Sequence, residues 1–142
     1  MSNAVLVVDM LRGFLESGYP LYCGDDARDI IPRVRDLIER ELADGASVWF
    51  IADNHAPDDL EFEMFPPHCI EGSIESEVVP ELADLVETYI PKRRFSAFFE
   101  TDIEDRLRKL RPDKVIIVGV CTDICVMHTA ADARNRDYAV EA

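Results

Sequence analysis

The sequence predicts a single α/β domain built on a parallel sheet with helices on both faces. Three observations carry this. Apolar runs short enough to be strands alternate with segments of helical periodicity along the 142 residues. The runs are continuously apolar, as in strands buried on both faces, instead of alternating as half-exposed strands do. Polar and thiol side chains cluster where those runs end, the edge at which parallel sheets gather their ligands.

The elements follow in order. Ala4-Val5-Leu6-Val7-Val8 is the first buried strand. Asp25 or Asp26 can cap the next segment, in which Ile30, Ile31, Val34, Leu37, Ile38 and Leu42 recur at helical spacing until Gly45 stops it. Ser47 to Ala52 forms a second buried strand. From Asp53 to about Ser76 the chain is irregular and rich in proline and acidic residues, and loops of that length in small domains usually carry function. Glu77 to Leu85 predicts a short helix and Thr88-Tyr89-Ile90 a third strand. Ile103, Leu107 and Leu110 mark a helix closed by Pro112. Val115 to Val118 is the fourth strand, and a helix runs from about Asp123 to Asn135. Tyr138 to Ala142 reads as the start of a fifth strand in which the sequence stops, so the C-terminal strands of the domain are expected to be missing.

Composition narrows the function classes. Hydrophobic residues make up 48% of the chain, enough for a real core, and no stretch approaches the roughly 20 apolar residues of a membrane span. A net charge of −14 argues against nucleic acid and anionic membrane surfaces as partners. Cys23, Cys69, Cys121 and Cys125, unevenly spaced and without a signal peptide, read as reduced thiols of a cytoplasmic protein.

Four features fall at the carboxyl edge of the sheet: Asp9 after strand one, Asp53 and His55 after strand two, Lys92 after strand three, and Cys121 to Cys125 after strand four. Each alone has a plain structural explanation. Together they supply a thiol nucleophile, an acid/base carboxylate and a cation. A free thiol with a pKa of about 8.5 is mostly protonated at neutral pH. A helix N-terminus and a nearby ammonium both favour the thiolate. Cys125, in the first turn of the last helix with Thr122 or Asp123 as cap and Lys92 nearby, is therefore the better nucleophile, since Cys121 precedes the cap. Asp53-x-His55 at a strand end places two ligands on one side of an extended chain, and carboxylate with imidazole suits Zn, Mn or Fe. Cys69, beside His68, is either a soft ligand or a packed thiol. Cys23 carries no readable signal, and His128, one turn beyond Cys125, is expected to face the helix packing.

The runs "VLVVDML", "IPKRRFSAF" and "GVCTDICV", in that order, resemble the isochorismatase-like cysteine hydrolases over about residues 4 to 136. That resemblance implies a three-layer α/β/α sandwich around a parallel sheet of about six strands. It implies an Asp9–Lys92–Cys125 triad and a cis peptide between Val120 and Cys121 that turns backbone N–H groups toward the substrate oxygen. Within the family, "D-x-H" followed by "P-P-H-C" is the metal-binding pattern of the nicotinamidases. It implies one divalent ion on Asp53, His55, Glu61 and His68, with Glu63 a rival to Glu61. By the same resemblance Phe14 and Phe65 are ring-stacking walls. The expected activity is metal-assisted hydrolysis of nicotinamide, with pyrazinamide also accepted, through a thioester. The expected partner is a small-molecule amide, with a homo-oligomer left open. A metal-free amidase acting on a carbamoyl compound and a catalytically silent interaction domain are the alternatives.

Overall fold

The computed structural model describes residues 2–142. Strand β1 spans Ala4–Val8, and a single helical turn, α1, follows at Arg12–Leu15. The second helical region is split into α2 (Asp25–Arg28) and α3 (Ile30–Ala43). The cap expected from Asp25 or Asp26 is not made. Gly24, at φ 100°, occupies the cap position of α2 and no side chain caps either helix. Strand β2 covers Ser47–Asp53, one residue longer than expected and ending on a carboxylate.

The predicted 77–85 helix shrinks to α4, Pro80–Ala83, because Pro80 sets its first turn. Strand β3 is Tyr89–Lys92, displaced toward the C-terminus relative to the sequence expectation. Pro91 lies within this strand. An edge strand tolerates it, and β3 is an edge of the sheet. The shift carries Lys92 to the strand's last position. Helix α5 (Ile103–Leu110), strand β4 (Val115–Gly119), helix α6 (Met127–Asn135) and strand β5 (Val140–Glu141) complete the chain. Among the described residues none of these helices is long and apolar enough to cross a membrane.

All four strand pairings are parallel, in the order β3-β2-β1-β4-β5. Successive residues of the central strands face opposite layers. Val5, Val7, Phe50 and Ile116 pack with Leu15, Ile31, Val34, Ile38 and Leu82 from α1, α3 and α4. Leu6, Val8, Trp49, Ile51 and Ile117 pack with Ile103 and Leu107 of α5 and with Val126. This is the three-layer α/β/α sandwich, and burial on both faces is what the unbroken apolar runs required. Among the described residues there are five strands where the resemblance implied about six, and β5, two residues long, lies where the sequence predicted a fifth strand to start.

Candidate active site

The carboxyl ends of β1 to β4 converge on one pocket. Asp9 follows β1 with φ 53°, a left-handed conformation that aspartate tolerates better than most residues. Its N–H donates to Ile51 O at 2.8 Å, and its Oδ1 accepts the Asp53 backbone N–H at 2.9 Å. Register pairs Asp53, the last residue of β2, with Lys92, the last of β3. The Lys92 ammonium is buried and lies 3.1 Å from Asp9 Oδ2, 2.5 Å from Asp53 Oδ1 and 3.5 Å from Cys125 Sγ. Sequence positions 9, 92 and 125 thus meet around one cation.

Strand β4 delivers the thiol through Gly119. At φ 129° a Cβ there would stand 1.9 Å from Val8 O, so no side chain fits between β4 and β1. Val120 N–H donates to Val8 O at 3.1 Å, and the Val120–Cys121 peptide is cis. The regular first helical turn expected around Cys125 is absent. A wide π-type turn covers Thr122–Val126, with Val126 N–H donating five residues back to Cys121 O at 3.1 Å. Cys121 occupies the cap position, while Thr122 and Asp123 are exposed and make no cap bond.

Electrostatics also depart from the sequence expectation of a thiolate. Burial and the Asp9 charge outweigh Lys92 and push the Cys125 thiol up. Burial, then the charge of Asp53, pushes Asp9 up to about 6 against the pull of Lys92. Burial opposes the charge on Lys92, but Asp9 and Asp53 outweigh it and hold its pKa well above the ordinary value. Burial thus favours the neutral thiol, while the two carboxylates favour the charged ammonium.

A second cluster adjoins the first. The chain leaving β2 returns alongside itself, with His55 N–H donating to Cys69 O and Glu71 N–H to His55 O, each at 2.9 Å. This brings His68 against His55, their ring centroids 4.7 Å apart. A 3-10 turn at Leu60–Glu63 buries Glu61 and leaves Glu63 in solvent, so the geometry separates the two rival glutamates. Donor atoms of Asp53, His55, Glu61 and His68 all lie within 4.8 Å of one another. His55 Nε2 is buried without a hydrogen bond, 3.2 Å from Glu61 Oε2 and 3.5 Å from Asp53 Oδ2, and Glu61 Oε1 is also unpaired. His68 Nε2 stands 3.4 Å from Glu61 Oε2. The Nδ1 atoms are engaged elsewhere, His55 with Asp59 Oδ2 at 3.0 Å and His68 with Pro66 O at 2.8 Å. That leaves both Nε2 lone pairs aimed at the cluster. Three buried carboxylates, Asp9, Asp53 and Glu61, face one buried ammonium, so the region has room for further positive charge. The residues fit a divalent ion.

Two residues of this cluster escaped the sequence reading. Asp59 holds His55 and is itself clamped by Arg94 Nη1 at 2.8 and 2.9 Å. Burial opposes the Asp59 charge, but the Glu61 N–H, His55 and Arg94 hold its carboxyl down at about 2. Nothing in "APDDLEFE" distinguishes Asp59 from Asp58, nor Arg94 from Arg93 in "IPKRRF". Phe14 and Phe65 both line the pocket, 5.9 and 6.2 Å from the His68 ring, and Phe95 joins them at 6.2 Å from Phe65. Phe95 was not foreseen. Cys69 is a packed thiol: it is buried, donates to Glu75 O at 3.5 Å, and burial raises its pKa. His128 is exposed, not packed, with Nδ1 2.7 Å from Ile124 O.

Comparison with known proteins gives a consistent picture. The isochorismatase domain model matches residues 3–141. The crystal structure of pyrazinamidase/nicotinamidase from Streptococcus mutans superposes with a TM-score of 0.93 at 33% identity, covering 98% of this chain and 83% of that one. N-carbamoylsarcosine amidase from Thermoplasma acidophilum gives 0.90 at 33% identity over 99% of this chain and 80% of that one. Pyrazinamidase of Pyrococcus horikoshii, in complex with zinc, gives 0.87 at 31% identity over 97% and 81%.

Proposed function

This chain belongs to the isochorismatase domain family, and from that premise we propose that it is a nicotinamidase, hydrolysing nicotinamide to nicotinate and ammonia. The observation that carries the reading is the pairing of two clusters in one pocket. Cys125 lies within reach of Asp9 and Lys92, and the same pocket is lined by Asp53, Glu61 and His68. A plain amide hydrolase needs only the first cluster.

Asp9 is the general base, because the resting thiol is neutral and the carboxylate is its nearby acceptor. It takes the Cys125 proton as Sγ attacks the carboxamide carbon, and returns it to the departing nitrogen as ammonia leaves. The backbone N–H groups of Cys121 and Cys125 hold the developing oxyanion. Water, deprotonated by Asp9, then opens the thioester to nicotinate and restores the thiol. Lys92 stabilises the thiolate as it forms and fixes Asp9 through their 3.1 Å ion pair. Asp53, His55, Glu61 and His68 would hold a divalent ion of the Zn, Mn or Fe kind, which supplies a Lewis-acidic anchor for the pyridine nitrogen. Phe14 and Phe65 enclose the ring. Holding the carboxamide over Cys125 can lower the barrier by several kcal/mol.

The similarity to N-carbamoylsarcosine amidase favours one rival, an amidase for a carbamoyl compound that uses no metal. Turnover of nicotinamide, benzamide and a carbamoyl amino acid, assayed beside metal analysis, separates the two. The nicotinamidase reading expects nicotinamide hydrolysis that depends on about one bound ion, and benzamide to bind poorly. Full nicotinamide turnover by demonstrably metal-free protein would overturn the metal's part. Turnover of the carbamoyl compound alone would overturn the substrate.

A further inference from the structure

Two thiols of the pocket take no side-chain part in the proposed reaction. Cys23 and Cys121 are separated by 98 residues, yet their Sγ atoms lie 3.6 Å apart, and both line the pocket. Both are half-buried, unlike Cys69 and Cys125, which are closed off from solvent. Cys23 is the penultimate residue of the 16–24 segment that joins α1 to α2. Its N–H donates to Phe14 O at 2.8 Å and its Sγ to Leu21 O at 3.7 Å. Cys121 is the second residue after β4 and stands on the C-terminal side of the cis peptide.

The contact has the features of a pair able to bond covalently. A disulfide needs the sulfurs at about 2.05 Å, an approach that side-chain rotation and a small loop shift can supply. Gly24, next to Cys23, has φ 100° and open space around it, so the loop has a residue free to turn. Hydrogen bonding between the two thiols holds Cys23 below its ordinary pKa, and the same bond raises Cys121. One sulfur is thus the readier nucleophile and the other its neighbouring partner.

We propose that Cys23 and Cys121 are a reversible redox modification site, oxidised to a disulfide by low-molecular-weight disulfides such as oxidised glutathione. The Cys23 thiolate attacks one glutathione sulfur and expels the first glutathione thiolate. Cys121 then loses its proton and attacks the Cys23 sulfur of the mixed disulfide, expelling the second. Two protein thiols are oxidised and one glutathione disulfide is reduced to two thiols. The new bond staples the 16–24 loop to the end of β4 and constrains Cys121. The loss of activity that follows rests on the reading above, in which the Cys121 N–H serves the oxyanion; formation of the bond does not.

The test treats metal-loaded protein with oxidised glutathione, blocks free thiols by alkylation, maps the peptides and assays nicotinamide turnover. Wild type should yield a linked Cys23–Cys121 peptide and lose turnover by roughly tenfold or more, with both effects reversed by dithiothreitol. Cys23→Ser, compared with its own reduced state, should keep more than half of its activity. Glutathione adducts without the linked peptide would overturn the proposal, and a linked peptide with equal inactivation of Cys23→Ser and wild type would overturn its effect on turnover. Peptide mapping decides the disulfide even if nicotinamide proves not to be the substrate.

Discussion

Cys125 starts the proposed reaction from a thiol that burial keeps protonated, so its neighbours set its reactivity in opposite directions. The Lys92 ammonium favours the thiolate, and the Asp9 carboxylate disfavours it. Lys92→Met should therefore move the midpoint of Cys125 alkylation to higher pH, and Asp9→Asn to lower pH. Alkylation rate against pH, on variants shown by circular dichroism to be folded, reads both. Equal midpoints in all three proteins would remove the electrostatic role of the pair. Cys125→Ala should cut turnover by at least about a thousandfold while leaving the unfolding midpoint near wild type, because a methyl replaces a small thiol. Cys121→Ala should be milder, since its backbone and not its side chain is assigned to the oxyanion. The positions of Asp9, Lys92 and Cys125 were legible in sequence because strand ends are legible. Their charge states were not. The sequence places an ammonium near a thiol, but burial and a second carboxylate, properties of the assembled site, reverse the net effect.

At the level of elements, the segment from Asp53 to Glu71 forms its cluster by folding back on itself. His55 and Ile70 pair like neighbouring strands, and Asp59 ties the first turn of that loop to both His55 and Arg94. Asp59→Asn should weaken metal binding by about 10- to 100-fold, measured by competition with a chelator. The imidazole it orients would lose its fixed tautomer. An unchanged dissociation constant would make Asp59 a purely structural cap for Glu61. The D-x-H and P-P-H-C patterns pointed to the candidate ligands, but only the bridge shows why His55 and His68, 13 residues apart, meet. The turn at Gly119 is similarly strict. Gly119→Ala should cost about 2–4 kcal/mol in urea unfolding, because Val8 O has no room to retreat from a central strand. A smaller loss would mean that β4 slides to accept the methyl. The strand β3 boundary and the π-type turn were misread for a common reason. The Thr88 start and the Thr-Asp cap signal state local preferences, and pairing with β2 and the Cys121 carbonyl override them.

For the whole molecule, an ion held between the end of β2, the 3-10 turn and the return segment, as proposed, would add its binding energy to folding. Dialysis against a chelator should lower the thermal midpoint, and one equivalent of Zn or Mn should restore it. Free ion at a hundred times its dissociation constant stabilises by about 2.7 kcal/mol. Calorimetry checks this, and identical melting of both forms would argue against a site held only in the native state. The layered architecture itself was readable from sequence, since continuous apolar runs have few other homes. The central position of β1 has a consequence for biogenesis. Val8 must find Gly119, 111 residues further along the chain, before Asp9 and Cys125 can meet. Such pairings carry a high loop-closure cost and form slowly. On the ribosome, β1 emerges before both of its partners and waits with both edges unpaired until β2 and then β4 are synthesised. Residues 4–8, all apolar and all destined for the interior, are thus the stretch most exposed to premature aggregation. Chaperone dependence should therefore fall on β1, and Cys125 should become competent only after β4 has paired with it.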